Sequence, residues 1–263
     1  MISTRPPAVA GMFYPADPAA LAETVSRCLS EAGDAAGEPP PKAVIAPHAG
    51  YVYSGPVAAS AYARLAPLRD RIDRVVLLGP AHRVAFRGLA LPGVDAFATP
   101  LGAVKVDAAA VAALSALPQV VILPDAHAAE HSLEVHLPFL QTVLGTFSLV
   151  PLVVGDAPDE DVEEVLETLW GGEETLIVIS SDLSHYHDYA TARAIDAATS
   201  ASIVALDETR IGFEQTCGRA PIGGLLRCAR TRGMRAACID LRSSGDTAGP
   251  RGEVVGYGAY VLR

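Results

Sequence analysis

The stretch Arg74-Val75-Val76-Leu77-Leu78-Gly79-Pro80-Ala81-His82 decides the fold. Its apolar run from Arg74 to Leu78 has no polar alternation, which suits a strand buried on both faces, and Gly-Pro-Ala-His beyond it places a histidine at the strand's end. Similar runs occur at Ala43 to Ala46, Val120 to Leu123, Ser148 to Val154 and Leu176 to Ile179. Between them, Gly55 to Leu65, Asp107 to Leu117, Glu130 to Leu144 and Asp159 to Trp170 have helical composition, the second and fourth led by aspartate caps. Strands alternating with helices predict an α/β fold, a mainly parallel sheet covered on both sides.

Outward from this core, Asp17-Pro18 followed by Leu21, Val25 and Leu29 predicts a capped helix from Pro18 to about Ala32. Residues Gly33 to Pro41, with three consecutive prolines, read as a surface loop. At the other end, Ala236 to Leu241 and Val254 to Leu262 read as an antiparallel pair at the sheet edge. No internal repeat and no long linker divides the chain, so residues 1–263 are expected to form one domain.

Half of the residues are hydrophobic and 19% are charged, enough apolar material for a sizeable core. The net charge is −10, and Lys42 and Lys105 are the only lysines, which argues against nucleic acid or an anionic membrane as partner. The start Met-Ile-Ser-Thr-Arg-Pro-Pro lacks the features of a signal peptide, no apolar run approaches a bilayer's span, and the expected location is the cytoplasm. Cys28, Cys217, Cys228 and Cys238 are widely spaced, with no CxxC pair, and are expected to be reduced.

Ligands of open α/β sheets bind beyond the carboxyl ends of the strands. His48 follows one run in Ala-Pro-His-Ala-Gly-Tyr, His82 another in Leu-Leu-Gly-Pro-Ala-His, and Asp182 and His185 a third in Ser-Ser-Asp-Leu-Ser-His. A single histidine there is ordinarily a hydrogen-bonded loop residue. Three of the seven histidines in equivalent places have no packing rationale and predict a shared polar pocket. Cys217 precedes an expected helix with Pro221 in its first turn, where the dipole and unpaired N–H groups favour a thiolate. Two imidazoles and a thiolate suit iron(II), copper or zinc better than magnesium or calcium. The segment Asp125 to Leu140, with His127, Glu130, His131, Glu134 and His136, competes as a site; His131 and Glu134 are three apart and would share a helix face. No phosphate loop, GxGxxG or GxSxG motif is present, which removes nucleotide-dependent and serine-hydrolase chemistry.

Taken together, Ala-Gly-Met-Phe-Tyr-Pro (Ala10 to Pro15), Ala-Pro-His-Ala-Gly-Tyr (Ala46 to Tyr51), Gly-Pro-Ala-His (Gly79 to His82), Glu-His-Ser-Leu-Glu-Val-His-Leu-Pro (Glu130 to Pro138), Ser-Ser-Asp-Leu-Ser-His (Ser180 to His185) and Cys-Gly-Arg-Ala-Pro-Ile-Gly (Cys217 to Gly223) resemble the Memo family. Its bacterial and archaeal members are also called AmmeMemoRadiSam system protein B. The resemblance implies the fold of class III extradiol ring-cleaving dioxygenases: three layers, α/β/α, around a mostly parallel mixed sheet with a non-haem iron site at its edge. It places metal ligands at His48, His82 and Cys217, and an acid/base histidine at His185 with Asp182 nearby. Phe13, Tyr51, His131 and Glu134 are expected behind these ligands or against a substrate. Ring-cleaving enzymes complete their iron site with glutamate where this chain offers Cys217, so dioxygenase activity is not carried over. Phe13 stands where a peptide-binding relative has tryptophan, so the indole donor is missing.

Three functions compete. One is a metal-dependent redox protein with iron or copper and an unidentified small-molecule substrate. Another is a binding module that takes a phosphorylated or anionic peptide, with Arg83 and Arg219 supplying charge. A third, implied by the family name, is assembly with AMMECR-type and radical SAM proteins.

Overall fold

The computed structural model describes residues 3–33 and 38–263. Of the expected Gly33 to Pro41 loop, residues 34–37 lie outside this range. The strands are β1 (Thr4–Arg5), β2 (Ala43–Ala46), β3 (Arg74–Pro80), β4 (Leu89–Leu91), β5 (Ala96–Thr99), β6 (Gly102–Val106), β7 (Val120–Ile122), β8 (Ser148–Val154), β9 (Thr175–Ser180), β10 (His185–His187), β11 (Ala236–Ser243) and β12 (Val254–Leu262). The helices are α1 (Pro18–Glu31), α2 (Tyr51–Tyr62), α3 (Ala108–Leu114), α4 (Pro124–Ala128), α5 (Leu137–Leu144), α6 (Asp159–Leu169), α7 (Tyr189–Val204), α8 (Arg219–Thr231) and α9 (Ser244–Thr247).

The strands join in one mixed sheet, ordered β1-β5-β6-β8-β3-β9-β2-β12-β10, with β11 paired to β12 and β4 bridging β7 and β8. Its centre, β6-β8-β3-β9-β2, is parallel. Alternate residues of each central strand serve opposite cores: Val75 and Leu77 pack under α1, α2 and α5, whereas Val76 and Leu78 pack with α6 and α8. Burial on both faces explains the absence of polar alternation in these strands. The architecture is therefore three layers, α/β/α.

Several boundaries differ from expectation for physical reasons. Asp107 caps α3 through the Ala110 N–H at 3.0 Å. Asp159 does not cap α6; Pro158 holds that position, and the Asp159 carboxylate instead pairs with Arg219 at 2.5 Å. The expected helix from Glu130 starts only at Leu137, after a short 3-10 turn at Glu134–His136, with Pro138 in its first turn. The helix expected over Gly55 to Leu65 begins at Tyr51 and tightens to a 3-10 turn from Ala63. In the C-terminal pair only β11 is an edge; β12 also pairs antiparallel with β2.

Candidate metal centre

Order in the sheet explains why distant histidines meet. Strand β9 lies between β3 and β2, with Ala46 opposite Ser180 and Leu78 opposite Ile179. The three loops carrying His48, His82 and Asp182 therefore leave adjacent strand ends. Two glycines permit the remaining approaches. A Cβ on Gly79 would meet Ser132 Oγ at 2.8 Å, so Gly79 lets the end of β3 close on the Glu130 segment. A Cβ on Gly218 would lie 2.5 Å from Ser181 Cβ, and the Gly218 N–H donates to Ser181 Oγ at 2.8 Å, seating Cys217 over the end of β9.

Hydrogen bonding sets the histidine tautomers. The Ser180 hydroxyl donates its one proton to the Ser132 carbonyl at 2.6 Å, so its 2.6 Å contact with His48 Nδ1 requires an Nδ1–H donor. His48 Nε2 then carries a lone pair, 3.4 Å from Cys217 Sγ. His82 Nδ1 donates to Glu130 Oε1 at 2.9 Å, which leaves its Nε2 lone pair open as well. Glu130 also accepts from the backbone N–H groups of His82 (2.6 Å), His131 (2.9 Å) and Ser132 (2.9 Å). Burial pushes its carboxyl upward, but these donors outweigh burial and hold it down to about 2. An ionised carboxylate thus orients His82 at every ordinary pH.

His131 joins the two strand-end histidines. One ring nitrogen from each of His48, His82 and His131 lies within 4.8 Å of the others. Its ring stacks on His82 at 4.7 Å between centroids and meets Phe13 at 4.8 Å, while its buried Nδ1 has no hydrogen-bond partner. Burial pushes His131 down to about 4 and, together with neighbouring imidazoles, holds His48 well below its usual value. Burial thus favours the neutral ring at His48 and His131, and one nitrogen from each of the three histidines faces a common place. That donor set fits a transition metal ion better than a hard cation, which prefers oxygen.

The other expected residues divide between the centre and its surroundings. Cys217 touches His48 but is not part of the three-histidine cluster; burial, with the Asp182 charge, pushes its thiol up to about 12. Burial thus outweighs the helix-end effect expected from sequence. Asp182 accepts the His48 N–H at 2.7 Å, and desolvation pushes it up to about 7. His185 starts β10 and lies outside the three-histidine cluster, with its ring against Tyr186, and its proton affinity is lowered first by burial. Tyr51 donates to the Val135 carbonyl at 2.6 Å, bracing the segment behind His131. Glu134 points away from the histidines, toward Arg5 and the N-terminal segment. In sequence Glu130 stands only as a member of the competing Asp125 to Leu140 segment, with no signal that it would hold His82. Ser180 was seen there only beside Asp182.

Fold and pocket together define an α/β/α protein with an imidazole-rich pocket able to hold a metal ion at its parallel strand ends. The family model described as Memo-like protein matches residues 5–261, and the chain belongs to that family. A MEMO1 family protein of Archaeoglobus fulgidus is 35% identical, covering 98% of this chain and 99% of its own. The MEMO1 family proteins of Methanothermobacter thermautotrophicus (36%; 96% and 98%) and Aquifex aeolicus (35%; 96% and 97%) are similarly related. Among solved structures, an uncharacterized protein of Escherichia coli K12 matches with a TM-score of 0.55 at 13% identity, covering 83% of this chain and 98% of that one, a likeness of fold. Among the described residues no helix is long and apolar enough to cross a membrane.

Proposed function

We propose that this chain is a cytoplasmic metal-dependent redox protein, with iron or copper held by His48, His82 and Cys217 and with His131 as an adjacent donor. The observation that carries this reading is the pair of tautomers set by Ser180 and Glu130, which leaves His48 Nε2 and His82 Nε2 as lone-pair donors beside a thiol. When bound, iron or copper supplies one-electron chemistry, and thiolate ligation would tune its potential. A cation there also favours the Cys217 thiolate over the thiol that burial otherwise maintains. In this reading His185 and Asp182 pass a proton to or from a bound molecule, a role supported for Asp182 by its carboxylate 4.0 Å from His48 Nε2. Four free cysteines fit a reducing compartment. Capture of an anion by Arg219 is less favoured, because its guanidinium is already engaged by Asp159 and the Ile211 carbonyl.

The test is metal content after anaerobic purification, for wild type, His48→Ala and Cys217→Ser. The reading expects bound iron or copper in wild type, loss in His48→Ala, and loss of sulfur-to-metal charge-transfer absorption in Cys217→Ser. Protein that binds neither metal, and is indifferent to His48→Ala, overturns it.

A further inference from the structure

A second concavity shares Cys217 with the metal centre but is lined by none of the clustered histidines. It holds about 290 Å³, near the small end of ligand pockets, which run roughly 300–1,000 Å³. It lies at the carboxyl ends of β3 and β8, where the loop after β3 carries His82 toward the metal centre and lines this groove with Val84 and Phe86. The wall is pre-formed. The Asp156 N–H donates to the Phe86 carbonyl at 2.9 Å and Gly155 N–H to the Gly88 carbonyl at 2.9 Å, an approach that a Cβ on Gly155 would block at 2.3 Å from Phe86 O.

The lining specifies the occupant. Phe86, Phe213, Pro80 and Pro221 present flat apolar faces, and Val84 adds a methyl surface. Phe213 is 76% exposed, although it is a large aromatic side chain. The one cation in the lining, Arg219, is already paired with Asp159 and covered by the Phe213 ring at 4.7 Å. Asp156, the one carboxylate, is turned to solvent with its side chain 82% exposed. A charged ligand would lose hydration here without compensation. Cys217 remains as the functional group that the groove shares with the centre.

We infer that this groove binds a small, uncharged, largely apolar molecule and presents it to the Cys217 side of the metal centre. The role beside the metal rests on the proposed function above; the binding itself does not.

The experiment titrates the full chain with 2-naphthol, uncharged at neutral pH, and with 2-naphthoate as its charged counterpart, reading the Val84 methyl signals by NMR. Ala85→Trp, at an exposed lining position, and Ala220→Leu fill the groove from opposite walls. Saturable 2-naphthol binding that moves Val84, weakened by about tenfold or more in the filled variants, is expected, with 2-naphthoate weaker by about tenfold. Val84 signals that stay still, folded filled variants that bind like wild type, or 2-naphthoate binding equally well would overturn the inference. Metal affinity measured on the same samples separates the two readings. Naphthol binding without metal binding sinks the metal centre alone, and metal binding without naphthol binding sinks the groove alone.

Discussion

Glu130 and Glu134 stand four residues apart, both buried, both ringed by hydrogen-bond donors, and they do opposite things. Glu130 gathers the His82 ring and three backbone N–H groups at the histidine cluster. Glu134 accepts from the Arg5 guanidinium at 2.7 Å, from the Ala8 and Val9 N–H groups, and from the Tyr14 hydroxyl at 2.5 Å. The first orders a site. The second pins the N-terminal segment, and with it Phe13, against the body of the protein. Burial and bond count therefore cannot separate a site carboxylate from an anchoring one; the identity of the partners can.

The comparison can be broken at three points. The largest effect is expected for Glu134→Ala, which strands the buried Arg5 charge and should cost about 3–5 kcal/mol of stability in urea unfolding. A loss near zero would show that the Arg5 pair is no anchor. Glu130→Gln should instead act on the site, lowering metal affinity about 10- to 100-fold, because the amide no longer offers an ionised acceptor to His82. Unchanged affinity, measured by competition with a chelator, would move Glu130 to the structural side.

The third point concerns His127, whose carbonyl accepts from Arg5 and which belongs to the anchoring half. Burial pushes its imidazole down to about 4, and its Nε2–H donates to the Ala90 carbonyl at 2.8 Å. As pH falls from 6.5 to about 4, the unfolded chain takes up a proton there that the folded chain refuses. This group therefore removes stability on acidification, at no more than about 1.4 kcal/mol per pH unit. His127→Gln should flatten the stability profile in that window relative to wild type. Parallel profiles would contradict the assignment.

What could be read without coordinates follows the range of the forces involved. The Arg74 to Leu78 run and its companions were legible because burial on both faces writes an unbroken apolar signal into a few consecutive residues. Helix α7, the longest among the described residues, was not anticipated. Its Ala, Ser and Thr residues leave little contrast between a buried and an exposed face. Strands β4 and β10 have three residues each, too short for a period to show. The helix predicted to begin at Glu130 failed because that carboxylate takes the following N–H groups beside the histidine cluster, a partnership no local pattern announces.

The sequence by itself determined the layered α/β class and the places of His48, His82 and Asp182, since a strand's end and the loop beyond it are local properties of the chain. Tertiary structure alone decided that His131 joins them, that Ser180 and Glu130 select the histidine tautomers, that Glu134 faces away, and that Cys217 stands between the histidines and an apolar groove. Those outcomes depend on hydrogen bonds and contacts between residues distant along the chain, and only the order of strands in the sheet brings such residues together.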